Sequence, residues 1–576
     1  MTLADDLAAA GFRARAPLAV VVVPSGIALA WEGGSREVAG EPADVGRVLA
    51  RLDPRWTWWS ARTTAAPLVA AGLRLRASWD VGAVGRSLHG LRRDDPAAVW
   101  AAAHGLAQPP LLPAGGSDLF DLDAADGEPV RPDGQLSREW LRGAWSADLV
   151  SARRWAGCVL EVQRRQESAL RDLADPRPCA RRPPLAVLTA LSESAAALLC
   201  VELEEHGLPF DRAVAGALLT TVVGPRPRDA VEEATQRVAR DLEVQRQFPG
   251  PPVDLRSPLQ VRELLLRVGL DLPDTRSWRL EPHAATSPAV GALLAWRKAE
   301  RTATTYGWAW TDRHVGPDGR LRGQWRAADG ASGRMTASAG LHNLPAELRS
   351  AVRAEPGSIL VRADLGQVEP RVLAAVSGDP ELARAAREVD MYAPVAAQLG
   401  VDRPTAKVAV LAAMYGQTSG AAGAALRDMD RAYPVAMAYL RAAEQAGRDR
   451  RDLRTYGGRL LSLSGAPAAD AEPVGEHVAV PGGGGRFARN AVVQGAAAEL
   501  FKAWAATVRD GLAGLGGEVV LCLHDELLLH VPLDVAEQAE LLLADGLQAT
   551  AHWWAAGSPV RFVAQIARGE SWETAH

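Results

Sequence analysis

The chain has 576 residues, 48% of them hydrophobic and 23% charged, enough to bury several cores and too apolar for a disordered protein. Its net charge of -5 excludes a global basic field of the kind that gathers polyanions. Cys158, Cys179, Cys200 and Cys522 show no CxxC spacing, which argues against structural zinc or a disulfide framework and for a reducing cytosol.

Arg13 and Arg15 precede an apolar stretch from Ala16 to Trp31 that mimics a signal peptide. Pro17, Pro24 and Gly26 punctuate it, so strand, turn and strand is the better reading. No run reads as long enough to span a membrane. Short strand signals (PLAVVVV, GIALAW, WTWWSA) and helical stretches (DPAAVWAAAHGL, SADLVSARRWAGCVLEVQRRQESAL) predict a mixed α/β unit over residues 1–184, closed by the Pro/Arg-rich linker Asp175–Pro184. Residues 185–330 are almost wholly helical in pattern up to Tyr306, with charge-laced runs such as DAVEEATQRVARDLEVQRQ. Strand signals return at GRLRGQW, SILVRAD and EVVLCLHDELLLHV. Between the last two lies a helical insertion over roughly Pro380–Asp470, and the polyglycine at 481–485 leads into a further amphipathic helix. No repeat, GxGxxG or Walker loop is present.

The chemistry concentrates in the second half. SILVRAD delivers Asp364 at the end of an apolar strand, and LCLHDELLLHV places His524, Asp525 and Glu526 at a hairpin tip. Burying such carboxylates is costly unless something neutralises them. No Lys or Arg lies within three positions of Asp525, so a divalent metal shared by the two strands is the simplest explanation; an ordinary polar turn is the bland one. Glu369, with Pro370 in the first turn of the next helix, also suits a plain helix start.

In RPTAKVAVLAAMYG, the residues Arg403, Lys407, Leu411 and Tyr415 step by four and share one helical face. Two cations, an aliphatic group and an aromatic ring suit a ligand with phosphates at one end and a flat base at the other; a solvated helix with one buried tyrosine is the alternative. Nearly all basic residues are Arg, so Lys298, Lys407 and Lys502 are rare, as are the two asparagines, Asn343 and Asn490. Rare residues that persist against such a bias mark places where their chemistry is needed. Both asparagines fall in SGRMTASAGLHNLP, which also holds Arg334, and GRFARNAVVQGAAAELFKAW, where Arg486, Asn490 and Gln494 recur every four residues. Such a row can read minor-groove acceptors without sequence preference. Residues 312–353 carry seven Arg against four acids, and 427–459 eight against five; such patches are usually solvated faces but permit phosphate contacts.

These segments, in this order, resemble those of the family A (Pol I-type) DNA polymerases of bacteria. DLGQVEPR resembles motif A, RPTAKVAVLAAMYG motif B and LHDE motif C, with TGRLSS…LQNIP-like and N-x-x-x-QG-x-A-A-like segments alongside; the match covers roughly 190–576. The resemblance implies an α+β multidomain fold: a right-hand polymerase of palm, fingers and thumb, preceded by an RNase H-like α/β 3′–5′ exonuclease-like domain. The units expected are a degenerate exonuclease-like domain at 1–184, thumb 185–330, first palm part 331–379, fingers 380–480 and second palm part 481–576. It implies a cytoplasmic, nucleoid-associated, monomeric enzyme of DNA replication or repair, with no membrane, acting on primer-template DNA and dNTPs with two Mg²⁺ ions, for which Mn²⁺ can substitute.

By position, Asp364, Asp525 and the carbonyl of Leu365 would hold metal, and Lys407 would act in catalysis. Arg403, Lys407, Leu411, Tyr415, Glu369 and Gln367 would meet the nucleotide, Glu369 by crowding the sugar 2′ position. Arg334, Arg371, Asn343, Arg486, Asn490, Gln494 and His524 would meet DNA or hold the site, with Glu526 supporting. Two departures stand out. Leu411 replaces the usual aromatic, and the first strands carry no acid between Asp6 and Glu32, so proofreading is expected to be absent; DLFDLDAAD, Asp118–Asp126, reads as a loop. The length leaves no room for a further 5′ nuclease unit. Two rivals are kept: a polymerase-shaped binder of primer-template that does not synthesise, and a nuclease acting through Asp364 and Asp525.

Overall fold

A computed structural model describes residues 3–111, 127–179, 182–416, 421–464, 484–523 and 525–575. It contains two sheets of functional weight. The first is formed by β1 (Pro17–Val23), β2 (Gly26–Trp31), β3 (Gly34–Ala39), β4 (Arg55–Trp58) and β5 (Ala77–Asp80), in the order β3-β2-β1-β4-β5. β1, β2 and β3 pair antiparallel, while β4 and β5 run parallel to β1, the mixed sheet expected of an RNase H-like unit. β3 and β5 escaped the sequence reading. β3 (GSREVA) is exposed along its length, and β5 has only four residues, too few to show a period.

The long helix α1 (Leu149–Arg171), capped by Asp148 accepting from Ser151 N at 2.7 Å, covers one face of this sheet. There Trp59 and Trp155 approach to 5.0 Å between ring centroids, with Trp140 and Trp145 beside them. The helix α2 (Leu185–His206) then serves three cores at once. Leu198 and Val201 pack with the N-terminal sheet, Val187 and Ala190 with the tryptophan cluster, and Leu199 and Leu203 with the C-terminal core. α2 is apolar enough by length and composition to cross a membrane (mean hydropathy 1.6), which corrects the reading that no run is so long; 72% of that window is buried inside the protein.

Helices fill Arg212–His314, as the charge-laced pattern predicts, with a small core of their own around Phe248, Leu264 and Trp296. A hairpin of β6 (Trp325–Asp329) and β7 (Arg334–Ala337) leads to the second sheet. Its central strand is β8 (Ser358–Leu365), followed by α3 (Val368–Ser377). The helical insertion contains α4 (Arg403–Tyr415), whose start is fixed by Asp402 accepting from Thr405 N at 2.8 Å and whose end is Gly416 in the left-handed region. The insertion is not helical throughout: Leu453–Arg454 pairs with Leu460–Leu461 as a short hairpin. Nor does the polyglycine end before the next helix, since α5 (Gly484–Leu512) begins inside it. Gly484 and Gly447 touch closely enough that a Cβ on either would meet the other's backbone, so glycine there lets two helices meet. β9 (Glu518–Leu523) and β10 (Glu526–Pro532) form the second hairpin, α6 (Ala536–Trp554) backs it, and β11 (Ala564–Gly569) closes a sheet of order β9-β10-β8-β11.

Candidate active site

β8 is flanked antiparallel by β10 and β11, so its apolar run is buried on both sides and its end is fixed by register. Asp364 lies opposite Glu526, and Leu365 N donates to the carbonyl of Asp525 at 2.9 Å. Two acids 161 positions apart in the chain therefore sit at one end of one sheet. Burial pushes the Asp525 carboxyl up to about 6, and the neighbouring charges of Asp364 and Glu526 push the same way. Glu526 is spoken for: Trp572 Nε1 donates to its Oε1 at 2.6 Å, and Arg362 forms an ion pair with it at 2.8 Å. The acids thus do have a cation beside them, from the neighbouring strand rather than from the hairpin.

Next to them α3 begins with Gln367 at φ 56, a left-handed conformation that costs a side-chain-bearing residue on the order of 1 kcal/mol. Its amide holds that turn, donating from Nε2 to Asp390 at 2.8 Å and accepting at Oε1 from Met391 N at 2.9 Å. Gln367 lines the candidate nucleotide cavity but spends its amide on the protein.

Of the two roles expected for Arg371, contacting DNA or holding the site, its surroundings favour the second. It is fully buried, and its guanidinium donates to the carbonyls of Gly366, Ala386, Glu388, Val389 and Arg561 at 2.6–3.1 Å. Burial lowers even its pKa to about 10. A side chain with every donor committed inside the fold has nothing left for a phosphate, so Arg371 holds the site instead.

A cavity of about 310 Å³ opens over Asp525. Lys407, Leu411 and Tyr415 of α4 form one wall, and Arg334, Gln367 and Glu369 face them. Lys407 is exposed and has no hydrogen bond or ion pair among the described residues. Glu369 is mostly buried, bridging Arg334 and the Tyr415 hydroxyl, which donates to it at 3.0 Å. Burial, then Glu369, raises the Tyr415 phenol above its ordinary value, while Gln494 of α5 opposes the shift from its own side. Arg403 stands outside the cavity lining, paired with Asp390 and stacked 5.6 Å above the Tyr392 ring.

The remaining expected residues are more dispersed. Arg486 is exposed on the first turn of α5, and its Cγ is what a Cβ on Gly416 would meet at 3.1 Å. Asn490, one turn on, is half-buried, and its Oδ1 has no partner among the described residues. Asn343 is exposed in a short turn, Leu341–Asn343, away from the cavity. Leu365 is buried beside the acids, and His524 lies outside the described residues. The sequence reading passed over Tyr392 and Phe501, which line the cavity, and Arg362. Only Arg362 had a legible signal: it precedes Asp364 by two and so shares its strand face.

The comparisons with known proteins decide the family. The model of DNA polymerase family A matches residues 228–574. This chain belongs to DNA polymerase family A. It is similar to DNA polymerase I of Chloroflexus aurantiacus, 30% identical over 366 residues (55% of this chain, 38% of the relative). It is also similar to the thermostable DNA polymerase I of Thermus aquaticus, 27% identical over 555 residues (88% of this chain, 61% of the relative). The chain thus spans less than two thirds of the length of these relatives. Among solved structures, the POL domain of Pol1 from M. smegmatis, in complex with DNA primer-template and dNTP, superposes with a TM-score of 0.65 at 21% identity, covering 100% of this chain and 98% of that one. That likeness shows the fold, a right-hand family A polymerase with an N-terminal domain.

Proposed function

We propose that this family A chain is a DNA-directed DNA polymerase, adding deoxynucleotides to a primer 3′-hydroxyl opposite a template. The observation that carries the reading is the meeting of Asp364 and Asp525 at one end of the sheet, with Asp525 lining a cavity to which Lys407 brings a cation that has no partner among the described residues. The donor set fits divalent metal. Two oxygen-only ligands stand together, one of them strained towards protonation by burial and by its neighbours, so a bound cation would relieve the like-charge repulsion. When bound there, a pair of Mg²⁺ ions would lower the pKa of the primer hydroxyl and neutralise charge on the reacting phosphate and leaving pyrophosphate.

The chain's own residues do the rest. Asp364, Asp525 and the Leu365 carbonyl would hold the ions in place. Lys407 would meet the triphosphate and supply charge or a proton to the leaving group. Arg403 would reach the phosphates by exchanging its partner Asp390 for them. Glu369, braced by Arg334 and Tyr415, presents a nearly immobile carboxylate where a 2′-hydroxyl would have to fit. Tyr415 and Leu411 would flank the base. Leu411 offers contact area without a π face, so its stacking contribution is smaller than an aromatic residue's. Arg334, which lines the cavity, Gln494, which reaches Tyr415, and Arg486 and Asn490 on the same helix as Gln494 would meet primer-template.

The domain division given by the sequence belongs to the same reading, as do a monomeric state and a cytoplasmic site of action. So does the loss of proofreading. β1 carries no acid; Ala19, Val21 and Val23 face the tryptophan cluster, where metal-binding carboxylates would be required. Asp80 at the end of β5 is buried and spent on Ala61 N and Ala83 N at 2.7 and 2.9 Å.

Primer extension tests the reading. The native protein is expected to extend a matched primer with Mg²⁺ and dNTPs, and Asp525→Asn to extend it at least ~10³-fold more slowly, the scale of losing a transition-state charge partner. Mismatched primers without nucleotides should stay intact. Absence of extension by native protein would favour the non-synthesising binder, and 3′ degradation that Asp525→Asn abolishes would favour a nuclease.

A further inference from the structure

Arg362 leaves the same face of β8 as Asp364, two residues on, and its side chain is only 12% exposed. Its Nη2 donates to Asp364 Oδ2 at 2.9 Å and to Glu526 Oε2 at 3.0 Å, while Nε lies 2.8 Å from Glu526 Oε1. The Trp572 indole donates to that same Oε1. Both oxygens of Glu526 are therefore engaged, one by the guanidinium alone and the other by guanidinium and indole. A carboxylate so saturated has little basicity to offer a metal ion. Asp364 accepts from Arg362 at Oδ2.

We propose that Arg362 is a positioning residue that limits the metal centre to two carboxylates and keeps its affinity for divalent ions low until a nucleotide arrives. Without Arg362 the end of the sheet would carry three carboxylates of summed charge -3; with it the sum is -2, and Glu526 is withdrawn. Ion entry then requires Asp364 to exchange its hydrogen bond from Arg362. The missing negative charge must come from the triphosphate, so metal loading follows nucleotide binding rather than preceding it. The proposal rests on the polymerase reading of Asp364 and Asp525.

The test is Mn²⁺ binding to the full-length protein without DNA or nucleotide, read by the loss of the free-ion electron paramagnetic resonance signal, with folding checked by circular dichroism. Arg362→Gln is expected to tighten Mn²⁺ roughly tenfold, the Coulomb effect of one unit charge on a divalent ion about 6 Å away under near-aqueous screening. Arg362→Lys, which keeps the charge, should stay within about threefold of native on the same ground. Glu526→Gln should weaken binding several-fold, because the guanidinium then falls wholly on Asp364. A merely structural arginine would leave the ion affinity unmoved. Unchanged or weaker Mn²⁺ binding by Arg362→Gln, with binding still lost in Asp525→Asn, overturns the role of Arg362 alone. If Arg362→Gln does not fold, unchanged affinity in Glu526→Gln overturns it instead. Undiminished binding by Asp525→Asn would overturn the metal reading and this proposal together.

Discussion

Single residues around this cavity differ less in type than in what is left over for them to do. Arg371 and Lys407 are both cations near the cavity, yet one has spent its donors on five carbonyls and the other has spent none within the described residues. Arg371→Ala is expected to destabilise the fold by about 3 kcal/mol or more, because several buried carbonyls lose their donors at once. Urea unfolding measures it, and a variant with native stability but weakened DNA binding would restore the DNA-contact role. Sequence alone could not separate the two cations. The motif around Arg371 carries its type, but the carbonyls it satisfies come from 386–389 and 561, distant segments no local pattern reveals. The acids were legible for the opposite reason. Each ends its own apolar run, and that position on a strand is a local property.

At the scale of elements, the rare lysines repay attention. Lys502 of α5 is buried against Glu193 of α2, donating at 2.8 and 2.9 Å, and Arg459 of the short hairpin joins the same carboxylate at 2.7 Å. Burial holds the Lys502 amine down at about 8, while Glu193 pulls it back up. Glu499, on the same helix, is pushed up to about 7 by burial and accepts from Gly457 N at 2.8 Å. One helix, a second helix and a hairpin are thus clamped by buried charge. Lys502→Met should cost about 2–3 kcal/mol, the scale of a charged hydrogen bond, because Glu193 keeps Arg459 as its remaining cation, and the double variant with Glu193→Gln should cost less than the sum of the singles. Additive losses in urea denaturation would show that the pair is uncoupled. The composition bias flagged Lys502 as a residue kept for a reason, but the reason is folding. The same bias flagged Lys407, where the site supplies a chemical use. Spacing on α4 told them apart: Lys407 shares a face with Arg403 and Tyr415, whereas Lys502 lies on a helix buried nearly all round.

The whole molecule is tied across its units by similar means. Glu518, at the start of β9, meets Arg320 at 2.7 Å, His206 at the end of α2 at 3.1 Å and His530 at 3.4 Å. Burial alone would raise its pKa, but His530 and Arg320 outweigh it and hold the carboxyl at about 2, below the ordinary 4.5. A folded value below the unfolded one means the stabilisation is complete above pH 4.5 and is lost as the pH falls towards 2. The loss amounts to about 3 kcal/mol for such a shift. Glu518→Gln should flatten the acid limb of stability over that window, read from denaturation midpoints; an unaltered slope would remove Glu518 from the account. Fold class was legible from patterning and motif order across the chain. The interfaces between units were not, because they depend on single polar residues of no periodic signature.

The apolar helix Leu185–His206 has no solvent side to fall back on. Deleting residues 3–179 would bare Leu198, Val201, Val187 and Ala190 together, a patch of the size that drives aggregation. A fragment of residues 182–576 is therefore expected to be insoluble, and its recovery as a soluble monomer by gel filtration would contradict this. Whatever chemistry the first sheet performs or lacks, the rest of the fold leans on the shelter it gives to one greasy rod.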